Sequence, residues 1–276
     1  MNYPRIISSI FLLIFLFFCM NSFFFFKVCF IHLLSFLTLR EYLRISKLSK
    51  IIKKNKNYTN DILLTRIRLD LRDYISLLLC QVVLLIDTEE YSNFIFIGAI
   101  FVIVFSIQIF SKAKIQYKLG IFYLLLPFLF FNYVGYERYL FFLVLVFLIT
   151  VSTDIGAYIL GKVIGGTKIV PSISPNKTWA GFLGGIVSTL VVTSFVFDIQ
   201  QNQIYCFFFF LAASITSQFG DIIESALKRD VNIKDSGNLI PGHGGILDRL
   251  DSFFTITFFV MLLYFLNFDF LSFFVL

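Results

Sequence analysis

Charge is what this sequence has least of. Only 14% of its 276 residues are Asp, Glu, Lys or Arg, where an ordinary soluble domain carries about 25%. A soluble core of this length could not hide 39 Phe without exposing large apolar patches. Cysteine is scarce too: Cys19, Cys29, Cys80 and Cys206 all sit in apolar runs, and no two form a CxxC pair. That argues against a disulfide framework and a thiolate metal site. There is one Trp, and there are two His. His32 stands alone in an apolar run and reads as structural. No internal repeat is present. The disordered class is excluded by the same composition, which is 58% hydrophobic. What remains is an integral membrane protein.

A membrane-spanning helix needs about 20 apolar residues. Candidate spans fall at 6–20, 23–39, 74–91, 93–110, 119–136, 138–160, 179–197, 203–224 and 252–269. Cys19-Met20-Asn21 is a poor cleavage site, so the first run reads as a span rather than a signal peptide. The expected fold is therefore all-α, a polytopic bundle of about nine transmembrane helices. Residues 1–150 would form N-terminal spans around a solvated, partly helical basic loop at 40–72. Residues 151–276 would form a catalytic region.

The loops test this count. With nine spans, the segments 40–72, 112–118, 161–178 and 225–251 face one side, together with Arg5, and hold 21 of the 23 Lys and Arg. Only Lys27 and Arg138 fall opposite. This is the positive-inside asymmetry, and it makes the basic side the cytoplasm. The net charge of +6 is thus explained by a bilayer and needs no nucleic acid. The sequon Asn57-Tyr58-Thr59 would face the cytoplasm and carry no glycan.

Gly156–Lys162 reads GxxxxGK, but Val163 follows where a P-loop requires Ser or Thr. Packing glycines at a helix end account for it. Asp154 in the same span is a costly intramembrane carboxylate, either functional or a buried structural partner. In Ser174-Pro175-Asn176-Lys177-Thr178-Trp179, Ser174 suits an N-cap and Pro175 the first helical position. A helix is expected to start there, its free amides and Lys177 favouring phosphate, with Trp179 as an interfacial anchor.

The densest charge lies between Asp221 and Asp251, where ten charged residues interrupt two apolar segments. Asp221, Glu224, Ser225 and Lys228 are spaced to share one helical face, and Asp248, Asp251 and Ser252 repeat the spacing. Between them lie Arg229, Lys234-Asp235 and Pro241-Gly242-His243-Gly244-Gly245. Glycine-rich turns cradle phosphate oxygens, carboxylates hold Mg²⁺ beside substrate phosphates, and Lys and Arg neutralise phosphate charge. Structural salt bridges alone would explain the charges but not the glycine turn. His243 could act as general base, phosphate donor or turn residue; phosphate contact suits it best, because phosphate nucleophiles are already anionic.

The stretch Ser225–Asp251 resembles the signature of the CDP-diacylglycerol synthases (phosphatidate cytidylyltransferases) at every position of the pattern. "SPNKTW" at 174–179 and "DIGAY" at 154–158 are similar to the family's upstream motifs. Ala180 departs from a common Glu and Asn176 from a common Lys. The resemblance implies CTP and phosphatidate as substrates, CDP-diacylglycerol and pyrophosphate as products, Mg²⁺ as cofactor, a homodimer, and a bacterial inner membrane with the site facing the cytoplasm. The site residues so implied are Asp221, Asp248, Lys228, Arg229 and His243 for catalysis. Ser174, Lys177, Thr178, Lys234, Asp235, Gly244, Gly245 and Arg249 would bind substrate. Asp221, Asp248, Glu224 and Asp251 would hold metal. The rivals are a CTP-dependent lipid-alcohol kinase and an ion or proton transporter with a carboxylate relay. The carboxylate pattern of the CDP-alcohol phosphotransferases is absent.

Overall fold

The computed structural model describes residues 24–52, 64, 67–85, 115–197, 203–239 and 244–266. Seven helices are described: α1 (Phe24–Ile52), α2 (Leu71–Leu85), α3 (Ile115–Tyr133), α4 (Gly135–Val163), α5 (Trp179–Val196), α6 (Gln203–Asp230) and α7 (Leu247–Phe265). Among them, α4, α5 and α6 contain stretches long and apolar enough to cross a membrane: Leu140–Val163, Trp179–Val196 and Ile204–Asp230. At 1.5 Å per residue, α4 runs about 43 Å, longer than the roughly 30 Å hydrocarbon layer. The expected spans at 6–20 and 93–110, and the sequon at Asn57, lie outside the described residues.

Among the described residues, the fold departs from an all-α reading in a two-stranded hairpin. Lys168–Val170 (β1) and Ser174–Thr178 (β2) form an antiparallel hairpin, pairing Lys168 with Thr178 and Val170 with Ser174. The expected helix start at Ser174 is thereby corrected. Ser174 and Pro175 are in the strand, and the helix begins at Trp179. Thr178 is the cap: its Oγ1 accepts the Gly181 amide at 3.1 Å, taking one of the otherwise unpaired N–H groups of the first turn. The signal was misplaced because Ser-Pro and Thr-Trp both suit a helix start, and strand pairing with β1 claims the first.

The chain divides into two units. One comprises Met1–Leu140 with Leu227–Arg249, the other Phe141–Ala226 with Leu250–Leu276. In the first, α1 packs on α2 and α3. Its buried positions Ser35, Thr38, Leu39, Tyr42, Leu43, Ile45, Ser46 and Leu48 follow helical spacing, so one face of α1 continues past Arg40 as core. Through Ile52 the 40–72 segment is helix, in keeping with its partly helical reading, but one face of that helix is buried rather than solvated. The basic residues hid the apolar stripe beneath them. In the second unit, Gly156 and Gly184 let α4 and α5 approach closely: a Cβ on Gly184 would stand 2.8 Å from the Gly156 carbonyl oxygen. Small residues at such crossings substitute for an apolar driving force that lipid does not supply. Ser152, Thr153, Thr189 and Ser214 form a buried hydroxyl cluster across α4, α5 and α6, with Thr153 and Thr189 oxygens 2.7 Å apart.

Candidate active site

The first unit builds its polar centre around Asp248, in the opening turn of α7. After α6 the chain reverses through Asn232, which adopts the left-handed conformation at φ 52°. Ile233 N bonds back to Lys228 O at 3.1 Å, and Asn232 N to Arg229 O at 3.0 Å, a Schellman-type stop. This reversal sends Lys234–Gly237 back along the helix end. Asp248 then collects four contacts. Lys228 Nζ donates to Oδ1 at 2.7 Å. The Ser236 amide lies 2.8 Å from Oδ2 and 3.1 Å from Oδ1, and the Gly245 amide donates to Oδ2 at 2.8 Å. Burial opposes ionisation of Asp248, but the Lys228 ammonium and these two amides outweigh it and hold the carboxyl below its ordinary value.

A second carboxylate lies behind this one, and the sequence reading missed it. Glu41, 5% exposed on α1, accepts Ser236 Oγ at 2.9 Å, Ile246 N at 3.2 Å and Leu247 N at 3.0 Å. Two of these donors are backbone groups at the start of α7 that no helical carbonyl can satisfy. Burial pushes the Glu41 carboxyl up; the two amides and the hydroxyl oppose this, and the charge of Asp248 adds to it. Glu41 therefore positions both ends of the signature loop. The signal that could have found it is its register. Positions 38, 41, 45 and 48 share one helical face, and Thr38, Ile45 and Leu48 on it are core, so Glu41 had to be buried.

The glycines of the turn have reasons of space. Gly244 takes φ 82°, which L side chains avoid. A Cβ on Gly245 would collide with Ser236 Oγ and Glu41 Oε2. His243 lies outside the described residues. Arg229 Nη1 donates to Ile233 O at 2.9 Å and so braces the reversal. Lys234, Asp235 and Arg249 are exposed.

The second unit holds a separate ion pair. Lys177 Nζ lies 2.7 Å from Asp221 Oδ2 and donates to Gln218 O at 3.2 Å. Gln218 in turn donates to Phe182 O at 3.1 Å, which ties α6 to α5. Ser225 Oγ reaches Asp221 Oδ1 at 3.5 Å. Glu224 is buried, Asp251 takes the Ser252 amide on Oδ1 at 2.7 Å, and Ser174 is half-buried. Asp154 is on the exposed side of α4. Thr178 spends its hydroxyl on the helix cap. The structure thus brings Lys228, Gly245 and Asp248 together in one unit and Lys177 and Asp221 together in the other.

The donor chemistry suits Mg²⁺. Asp221 and Asp248 each hold a cationic nitrogen at 2.7 Å, and hard oxygen ligands that accept an ammonium also accept a hard divalent ion. Among the described residues no three His, Cys, Asp or Glu side chains converge on one point. A Mg²⁺ ion bound through one or two carboxylates and substrate phosphates does not need such a cage.

Long apolar helices, with an Asp–Lys pair and a glycine turn at the start of α7 in one unit and a second Asp–Lys pair on α6 in the other, define a helical membrane protein. The sequence pattern of the Cytidylyltransferase family matches residues 3–267, and the chain belongs to that family. Over 105 residues it is 53% identical to the phosphatidate cytidylyltransferase of Bacillus subtilis (strain 168), covering 37% of this chain and 39% of that one. Over 119 residues it is 46% identical to that of Rickettsia bellii (strain RML369-C), covering 40% and 52%. Over 160 residues it is 39% identical to that of Staphylococcus aureus (strain COL), covering 55% and 61%. The matched stretches thus span less than two thirds of each relative.

Proposed function

We propose that the protein makes CDP-diacylglycerol from CTP and phosphatidate. The observation that carries this reading is the signature stretch Ser225–Asp251, folded so that Lys228, Ser236 and Gly245 converge on Asp248, together with relatives whose name is phosphatidate cytidylyltransferase. A lipid phosphate oxygen attacks the α-phosphorus of CTP. The bond from that phosphorus to the bridging oxygen breaks, and pyrophosphate leaves with the electron pair. No general base is required, because the lipid phosphate is already anionic near neutrality.

In this reading Lys228 and Lys177 exchange their carboxylate partners for substrate phosphates, since an ammonium offers three donors and follows the nearest strong anion. Asp248 in the first unit, and Asp221, Glu224 and Asp251 in the second, are the residues that would hold Mg²⁺, which when bound would supply positive charge to offset that of the phosphates. Arg229, Lys234, Arg249 and His243 supply further phosphate contacts. Ser174, Thr178, Asp235, Gly244 and Gly245 shape the binding surface. The full protein would span the membrane nine times as a homodimer in a bacterial inner membrane. Its site would face the cytoplasm, because CTP is soluble and phosphatidate is not.

Purified protein given phosphatidate and CTP labelled at either the α- or the γ-phosphorus tests the reaction. Label from the α position should enter lipid. Label from the γ position in lipid would instead identify a lipid kinase, and no transfer from either would remove the enzyme reading.

A further inference from the structure

The first unit contains a cavity of about 390 Å³ walled on one side by α1 and on the other by residues 235–239 of the signature stretch. Its lining includes Arg40 and Arg44 of α1, Leu64, Asp235, Ser236 and Asn238. Arg40 and Arg44 stand one helical turn apart, so their side chains leave the same face. Among the described residues neither guanidinium forms an ion pair. The Arg44 Nε is buried and meets no hydrogen-bond acceptor among them. Burial and the charge of Arg40 lower the Arg44 pKa, against smaller opposing effects of Tyr74 and Glu41. Two like charges held together beside a buried, unused donor form an arrangement that an anion would stabilise. Glu41 lines the same cavity and its charge partly offsets that of Arg44, but its oxygens bond to Ser236, Ile246 and Leu247 and form no ion pair with either arginine. Ser236 connects the cavity wall to Asp248 through its amide.

We propose that Arg40 and Arg44 form an oxyanion site for a phosphate group. Two planar guanidinium forks match tetrahedral phosphate oxygens and its double charge better than a single carboxylate. The cavity is large enough for a phosphate carried on a larger body, either a lipid phosphomonoester or a nucleotide phosphate chain. The choice of probes rests on the cytidylyltransferase reading, while the site itself does not.

The test measures equilibrium binding to the full chain in detergent. The probes are a short-chain phosphatidate, CTP, inorganic phosphate and, as a control without a phosphomonoester, a short-chain phosphatidylcholine. Wild type, Arg40→Gln/Arg44→Gln and Arg40→Lys/Arg44→Lys are compared, with thermal unfolding as the check on folding. The expected result is a loss of about 10- to 100-fold in affinity for a phosphate-bearing probe in the Gln pair. The Lys pair should recover part of it, and phosphatidylcholine should be unaffected. Loss confined to phosphatidate identifies a lipid source; loss confined to CTP identifies a nucleotide source; an equal loss for all three, inorganic phosphate included, identifies a general phosphate site. Unchanged affinity for every probe in a folded Gln pair overturns the site, as does wild type that binds none of them. If the Gln pair does not fold, the Lys pair decides: its affinity for a phosphate-bearing probe should fall measurably below wild type, and wild-type affinity for all three overturns the site. If wild type makes no CDP-diacylglycerol yet binds a phosphate probe through these arginines, the function fails and the site stands. Normal synthesis with arginine-independent binding gives the reverse.

Discussion

Replacing Glu41 probes how the signature loop is held. Its three donors, Ser236 Oγ, Ile246 N and Leu247 N, are buried. A buried donor left without an acceptor costs about 1–3 kcal/mol. Glu41→Gln can keep its amide oxygen toward Ser236 and Leu247, but its NH2 then faces the Ile246 amide, so about one donor is lost. That corresponds to local opening favoured by roughly 5- to 150-fold. Glu41→Ala abandons all three donors, and the summed cost approaches the 5–15 kcal/mol that typically holds a whole domain folded. Hydrogen exchange followed by mass spectrometry should report faster exchange in the peptide covering 244–247, modest in Gln and severe in Ala, with α5 protected as in wild type. Turnover should fall in the same order. Exchange within about twofold of wild type in both variants would refute the claim that Glu41 holds the loop.

Asp248→Asn should lower kcat by about 10²-fold or more while the protein still inserts and accumulates; wild-type kcat in purified variant would remove Asp248 from the chemistry. Asp221→Asn should behave alike. Lys228→Ala or Arg229→Ala should raise KM for CTP or for phosphatidate, read from steady-state kinetics at matched protein levels, and a normal profile in both would reduce them to structural charges. The pH dependence of unfolding has two opposed parts. Asp248, lowered from 3.8, contributes stability above that value and loses it as pH falls through its lower folded value. Glu41, raised from 4.5, favours folding below that value and loses the contribution as pH rises through its higher folded value. Thermal unfolding of Glu41→Gln in detergent should therefore decline less than wild type as pH rises from 4.5, and an unchanged slope would count against the raised carboxyl. Alkaline phosphatase fused after Leu276 should be active in a bacterial host and inactive when inserted near Asn238; the opposite pattern would invert the topology.

Much of this was legible because each signal was local. Apolar runs marked α3 to α7, though α6 runs on to Asp230 and α7 starts at Leu247, beyond the expected bounds, and glycines 156 and 161 read correctly as packing rather than as a phosphate loop. The charge spacing in α6 and α7 marked Lys228 and Asp248, which the structure joins. What stayed hidden depends on partners distant in sequence. Glu41 meets Ser236 across 195 positions and Leu247 across 206, and within a basic stretch a single Glu looks like surface charge. The Ser174 strand depends on pairing with Val170, which no capping rule foresees. Arg40 and Arg44 counted toward the basic side of the membrane, and only the fold places them at the cavity beside Ser236.

The central claim is that the lipid phosphate itself attacks CTP. Phosphatidate carrying ¹⁸O in its phosphate, incubated with CTP and purified protein, tests it by mass spectrometry of both products. All of the heavy oxygen should remain in CDP-diacylglycerol, with unlabelled pyrophosphate released in equal amount. Heavy oxygen in pyrophosphate, or a lipid product that has gained only the γ-phosphate, would contradict it.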